Sequence, residues 1–277
     1  MNLQFQGHDA YVAQGGLLDD VNAALLLGRP LLLKGEPGTG KTVLGRHIAE
    51  SLGLQFLSWN VKSSTRAQEG LYVHDTVQRL NDARFGEGDV RDIARYIKLG
   101  PLGQAFRADR KTVVLIDEID KADLEFPNDL LYELDEMSFH IVETGETVHA
   151  KERPLVVITS NSEKELPDAF LRRCVFHFIA FPEREAMARI IRVHFPKLEE
   201  TMVEAALSRF YAIRETKGLR KKPATSELID WLRILIHKGI EPGTLEQSAP
   251  NLGALLKTGP DLDLVLQSYT GARSSST

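Results

Sequence analysis

Gly35-Glu36-Pro37-Gly38-Thr39-Gly40-Lys41-Thr42 decides the reading of this chain of 277 residues. The octapeptide carries the phosphate-loop pattern, Gly-x4-Gly-Lys-Ser/Thr, at all four fixed positions. Leu31-Leu32-Leu33 before it reads as a buried strand. Val43, Leu44, Ile48 and Leu52 after it recur at helical spacing, and Gly53 stops that helix. The glycines let backbone N–H groups turn inward around an anion, at a helix N-terminus whose dipole favours negative charge. On this reading the segment Gly35 to Val43 holds nucleotide phosphates, Lys41 reaches the β- and γ-phosphates, and the Thr42 hydroxyl is offered to Mg2+. A Gly-Pro turn that binds nothing is the alternative, and the strand and helix flanks weigh against it.

The rest of the composition narrows the class. With 43% hydrophobic and 26% charged residues, the chain is ordinary for a soluble globular protein and long enough for one large domain or two smaller ones. No apolar run approaches the roughly 18 residues of a membrane span, and the N-terminus lacks a signal-peptide pattern. Cys174 is the single cysteine, which excludes an intramolecular disulfide and points to a reducing, cytoplasmic setting. It stands in the apolar run Cys174-Val175-Phe176 and reads as a core residue, not a reactive thiol. The net charge of −5 argues against a surface built for nucleic acid.

Taken in order, Leu17 to Leu27 reads as a helix ending at Gly28, and Gln55 to Val61 as a strand. From Lys62 to Arg110 the pattern weakens, with Arg84 to Asp89 reading as an exposed loop. Val113-Val114-Leu115-Ile116 is a continuous apolar run suited to a parallel strand covered on both faces. Asp117-Glu118 follows at the carboxyl edge, where ligands bind in open α/β sheets. Asp117 would hold Mg2+ through water, and Glu118 would polarise a water for in-line attack. Lys121 to Met137 reads as one helix limited by Pro127, and Ser138 to Pro154 as a β-hairpin turning at Thr144-Gly145. Leu155 to Ile158 is a further buried strand ending in Thr159-Ser160-Asn161, where Asn161 could orient the attacking water. After Leu166 to Arg173, a turn and short helix, the strand Val175 to Phe181 stops at Pro182. Beyond 182 only amphipathic helices follow, closing near Gly239. The expected division is 1–181, 182–270 and a disordered tail over 271–277. His194 and His237 have no partner at metal-ligand spacing.

The phosphate loop, Leu115-Ile116-Asp117-Glu118-Ile119-Asp120, Thr159-Ser160-Asn161 and Ala169-Phe170-Leu171-Arg172-Arg173, in this order, resemble an AAA+ ATPase of the MoxR group across about residues 5–240. The hairpin before Asn161 resembles the group's pre-sensor hairpin, the weak region over 62–92 its insert, and Gly100-Pro101-Leu102-Gly103 also looks like the group. The resemblance implies an α/β P-loop domain with a five-stranded parallel sheet in order 5-1-4-3-2, followed by an all-helical lid. It also implies ATP with Mg2+, assembly into a homo-hexamer with ATP between subunits, and an arginine finger at Arg173 with Arg172 as competitor. By the same resemblance, a partner with a von Willebrand factor A domain and a protein client are expected, as for chaperones that activate complexes or insert cofactors, and Phe5 to Val12 would meet adenine. The group's second-sensor arginine falls here on Ser226, leaving Arg220, Lys221, Lys222 or no residue to serve.

Two other readings use the same core. A nucleic-acid motor would bring the hairpin to DNA, yet the hairpin carries Glu143 and Glu146 with no arginine before Arg153. A slow nucleotide switch would bind and barely turn over, which an intact Glu118 and Asn161 oppose. No residue reads the base, so ATP and GTP both stay open.

Overall fold

Short apolar runs separated by helices build a parallel sheet here, because the central runs are buried on both faces and need a helix on either side. The computed structural model describes residues 3–86, 89–161 and 163–274. They fall into two compact units, one comprising residues 1–8, 13–36 and 40–179, the other 9–12, 37–39 and 180–277.

The first unit opens with helix α1 (Leu17–Leu27), which stops at Gly28 with φ 62°, and strand β1 (Leu31–Gly35). Helix α2 (Lys41–Leu52) and strand β2 (Gln55–Asn60) follow. The chain then makes α3 (Ala67–Leu71), β3 (Tyr72–His74), α4 (Thr76–Phe85), β4 (Ile97–Leu99) and α5 (Pro101–Arg107), before returning to the sheet as β5 (Thr112–Asp117). Helices α6 (Phe126–Asp129) and α7 (Leu131–Glu136) lead into the hairpin of β6 (Ser138–Ile141) and β7 (Glu146–His149). Strand β8 (Leu155–Ser160), helix α8 (Asp168–Leu171) and strand β9 (Val175–Ile179) complete the unit.

The sheet order is β2-β5-β8-β1-β9, all parallel. Counted over the sheet strands alone, this is the expected order 5-1-4-3-2. The register sets Leu32 beside Ile158 and Ile116 beside Ile158. Side chains alternate between faces. Leu32, Val114, Ile116, Val156 and Ile158 enter one core with Phe106 of α5, while Leu31, Leu33, Val113, Leu115 and Val157 are buried on the other face, where Gly45 of α2 meets Leu115.

Two local expectations need correction. Residues 84–85 are the last turn of α4, not a loop, and Gly86 closes that helix with φ 70°; Glu87 and Gly88 lie outside the described residues. The helix was illegible because polar bonds hold it. Asp75 caps it by accepting from Gln78 N at 2.9 Å, and the Tyr96 hydroxyl donates to Asp82 at 2.9 Å. The single helix expected over 121–137 is two short ones, because Leu130 N bonds to Pro127 O in a tightened turn.

The second unit is helical among its described residues: α9 (Arg184–His194), α10 (Glu200–Arg214), α11 (Thr225–His237), α12 (Pro242–Gln247) and α13 (Gly259–Ser274). Its core gathers Met187, Ile191, Leu207, Phe210, Leu228 and Trp231, with Trp231 Nε1 donating to Pro250 O at 2.6 Å. Arg214 is buried but compensated, its guanidinium 3.4 Å from the Phe181 ring centroid and bonded to Pro223 O at 2.7 Å. Helix α13 takes in residues 271–274 of the stretch expected as a tail, and 275–277 lie outside the described residues.

Backbone meets backbone where α5 closes on α3. A Cβ added at Gly103 would stand 1.9 Å from the Leu71 carbonyl oxygen, and one at Gly100 would stand 2.1 Å from that of Glu69. Neither neighbour is a flexible side chain that could step aside. Gly103→Ala is therefore expected to lower unfolding free energy by about 1–3 kcal/mol in a urea titration, whereas Gly145→Asn, in an open turn with φ 71°, should cost well under about 1 kcal/mol.

Candidate functional site

Strand β8 lies between β1 and β5, so three strand ends meet at one edge of the sheet: the start of the phosphate loop, Thr159 to Asn161, and Asp117 to Glu118. Polar side chains there join across the strands. Thr42, in the first turn of α2, donates from Oγ1 to Asp117 Oδ1 at 3.0 Å, and Thr159 donates to the same oxygen at 2.6 Å. Thr159 Oγ1 in turn accepts from the backbone N–H of Glu118 at 2.9 Å.

The loop follows its glycines. Gly38 and Gly40 adopt φ 75° and 87°, the left-handed region that a glycine enters without strain. Gly35, Glu36, Gly40, Lys41, Thr42 and the half-exposed Val43 belong to the first unit, while Pro37, Gly38 and Thr39 count with the second. Lys41 is buried, 5% exposed, and its ammonium donates to Gly35 O and Glu36 O at 2.8 Å each. Burial pushes its pKa down, opposed by the charges of Asp117, Asp120, Glu118 and Glu36. A buried cation ringed by carboxylates and ending in a glycine loop is equipped to meet an anion.

Glu118 sits in the left-handed region without being glycine, φ 58° and ψ 49°. That turn lifts its side chain out of the strand line toward Asn161, whose Nδ2 donates to Glu118 Oε1 at 3.2 Å. Lys121 pairs with the other carboxylate oxygen, and that bond raises the Lys121 pKa. Sequence reasoning missed this lysine, whose spacing of three residues across a tight turn was the available signal. It also missed the structural part of Asp120, which is 2% exposed and accepts from Asn161 N at 3.1 Å and Glu163 N at 2.8 Å. Thr159 was read only as part of a strand end, and its bridging needs the neighbouring strands in place.

The arginines lie apart from this cluster in sequence and in bonding. Arg173 pairs with Asp135 and donates to Ala169 O at 2.9 Å, and Arg172 ends α8 exposed. Cys174 is partly buried, with its thiol pushed up to about 12 by burial and by Asp135, which keeps it an unreactive thiol at neutral pH. In the second unit, Arg220 N and Lys221 N donate to Asp261 at 2.8 and 3.2 Å. Ser226, the second residue of α11, donates to Glu227 at 2.9 Å.

A family model described as AAA domain (dynein-related subfamily) matches residues 30–174, just over half of the chain. Fidgetin-like protein 1 of Homo sapiens is 31% identical over 165 residues, 58% of this chain and 21% of that protein. Fidgetin-like protein 1 of Drosophila melanogaster is 27% identical over 175 residues, 59% of this chain and 27% of that protein. Shikimate kinase of Paramagnetospirillum magneticum is 34% identical over 76 residues, 27% of this chain and 38% of that enzyme. These alignments thus span well under half of each relative. Among the described residues, no helix is long and apolar enough to cross a membrane.

Thr159 is the hinge of this bonding pattern, serving Asp117 and Glu118 together. Thr159→Val leaves the part-buried Glu118 N–H without its acceptor and removes one of the two donors to Asp117 Oδ1, and is expected to cost about 1–3 kcal/mol of stability by denaturant unfolding. Thr159→Ser keeps both bonds and should recover most of that loss.

Proposed function

This chain belongs to the AAA family, in its dynein-related subfamily, and from that premise we propose that it hydrolyses ATP as a MoxR-type ring that remodels or activates a partner protein complex. The observation that carries the reading is the 3.0 Å bond between Thr42 and Asp117. A hydroxyl and a carboxylate brought together beside a buried lysine form an all-oxygen donor set of the kind Mg2+ takes with nucleotide phosphates. When bound there, Mg2+ would neutralise charge on the β- and γ-phosphates.

The chain's own groups divide the remaining work. Gly35 to Thr42 wrap the phosphates with backbone N–H groups, and Lys41 leaves its two carbonyl partners to pair with β- and γ-oxygens. Asp117 would hold Mg2+ through water. Glu118 takes a proton from the attacking water, and Asn161, already bonded to Glu118 at 3.2 Å, keeps that water and carboxylate in line. In a homo-hexamer, Arg173 would leave Asp135 to reach the γ-phosphate of a neighbouring subunit, with Arg172 the alternative. The helices after residue 182 act as the lid, with the second-sensor role falling to Arg220, Lys221, Lys222 or no residue. A cytoplasmic protein client and a partner carrying a von Willebrand factor A domain complete the proposal.

Glu118→Gln keeps the shape of the site and removes its base. It should retain nucleotide binding, lose about 100-fold or more of steady-state ATPase, and gather to about six subunits by light scattering with ATP. Turnover at the parent's rate would refute Glu118 as the base. Arg173→Ala should lower turnover only in the assembled state. Mixing it with Glu118→Gln subunits should restore part of the activity, and absence of recovery would count against action across an interface.

A further inference from the structure

Residues 3–8 are anchored within the first unit, not left loose. Phe5 N donates to Asn22 Oδ1 at 2.8 Å, Asn22 Nδ2 donates to Phe5 O at 2.9 Å, and Ser51 Oγ donates to Gly7 O at 2.9 Å. Phe5 itself is buried, 1% exposed. These bonds hold His8 over the second half of α2, where His47 and Glu50 sit three residues apart on one face.

The three side chains converge on one point. His8 Nε2 lies 3.5 Å from Glu50 Oε2, and His47 Nδ1 lies 3.2 Å from the same oxygen. The two imidazoles stack with centroids 4.3 Å apart and planes at 30°. All three ligand atoms fall within 4.8 Å of one another. Ligands about 2.0–2.2 Å from a tetrahedral ion stand about 3.3–3.6 Å apart, close to both measured spacings. Two imidazoles and a carboxylate are a donor set that zinc takes, and Glu50 is half exposed, so water can supply a fourth ligand.

We propose that His8, His47 and Glu50 form a site for a divalent transition-metal ion of the zinc type, which clips the N-terminal segment to helix α2. Two nitrogen donors select against Mg2+ and Ca2+, which prefer oxygen. The site is therefore chemically separate from the oxygen donors at Thr42 and Asp117. His47 and Glu50 have no part in the proposed hydrolysis, whereas His8 lies in the segment expected to meet adenine, so the site is read by metal binding and not by ATPase rate.

The test uses the full chain without a histidine tag, dialysed against ZnCl2 in excess Mg2+, with bound zinc measured by elemental analysis. One zinc per chain is expected. His8→Ala, His47→Ala and Glu50→Gln should each weaken zinc affinity more than about tenfold. Zinc should also raise the melting temperature of the parent and leave that of His8→Ala unmoved, since only binding to the folded form stabilises it. Cobalt in place of zinc should give visible absorption bands of a four-coordinate ion that vanish in the same variants. Because His8 lies outside α2, its loss cannot act by unravelling that helix. No zinc uptake by the folded parent, or uptake indifferent to His8→Ala and Glu50→Gln, would overturn the site and leave the cluster as plain ion pairing.

Discussion

One carboxylate oxygen, Asp117 Oδ1, ties the carboxyl edge of the sheet together by accepting from Thr42 and Thr159 at once. The donors come from the helix after β1 and from the end of β8, so the bond pattern exists only when β8 lies between β1 and β5. Strands buried on both faces supply a frame that resists displacement. The polar edge inherits that rigidity, and a site placed there is held to a geometry no loop could keep alone.

The same edge stores unfavourable terms that the frame sustains. Glu118 takes a left-handed backbone, at a cost of about 1–2 kcal/mol for a residue with a Cβ. Its N–H is repaid by Thr159 and its carboxylate is held by Asn161 and Lys121. Lys41 is likewise buried at some expense, lowered in pKa by desolvation and steadied by two carbonyls and four nearby carboxylates. Both residues are ones whose polar groups face incoming phosphate or water on the proposed mechanism, and strain of this kind gathers where chemistry is prepared.

Away from that edge the balance shifts from apolar periodicity to polar detail. Helix α4 has no apolar stripe facing the core, and Val77, Leu80 and Phe85 stay exposed while Asp82 is buried against Tyr96. Its existence rests on the Asp75 cap and on that buried hydroxyl bond. The break between α6 and α7 rests on one tightened turn behind Pro127. Such features depend on single hydrogen bonds, which leave little trace in a pattern of hydrophobic residues.

The sequence by itself determined what is local. Gly35 to Thr42, the run Val113 to Ile116 ending in Asp117-Glu118, and the hairpin turning at Gly145 are each readable within a dozen residues, because loop glycines, strand burial and turn chemistry act at short range. The sheet order followed from a family resemblance, not from spacing. Only the tertiary structure decided that Thr159 would bridge Asp117 and Glu118, that Lys121 and Asn161 would share one carboxylate, and that His8 would meet His47 and Glu50. Those contacts join residues up to 43 positions apart, as between Glu118 and Asn161. Directional polar contacts at that separation depend on where the packed sheet and helices place their ends, and no local pattern encodes that placement.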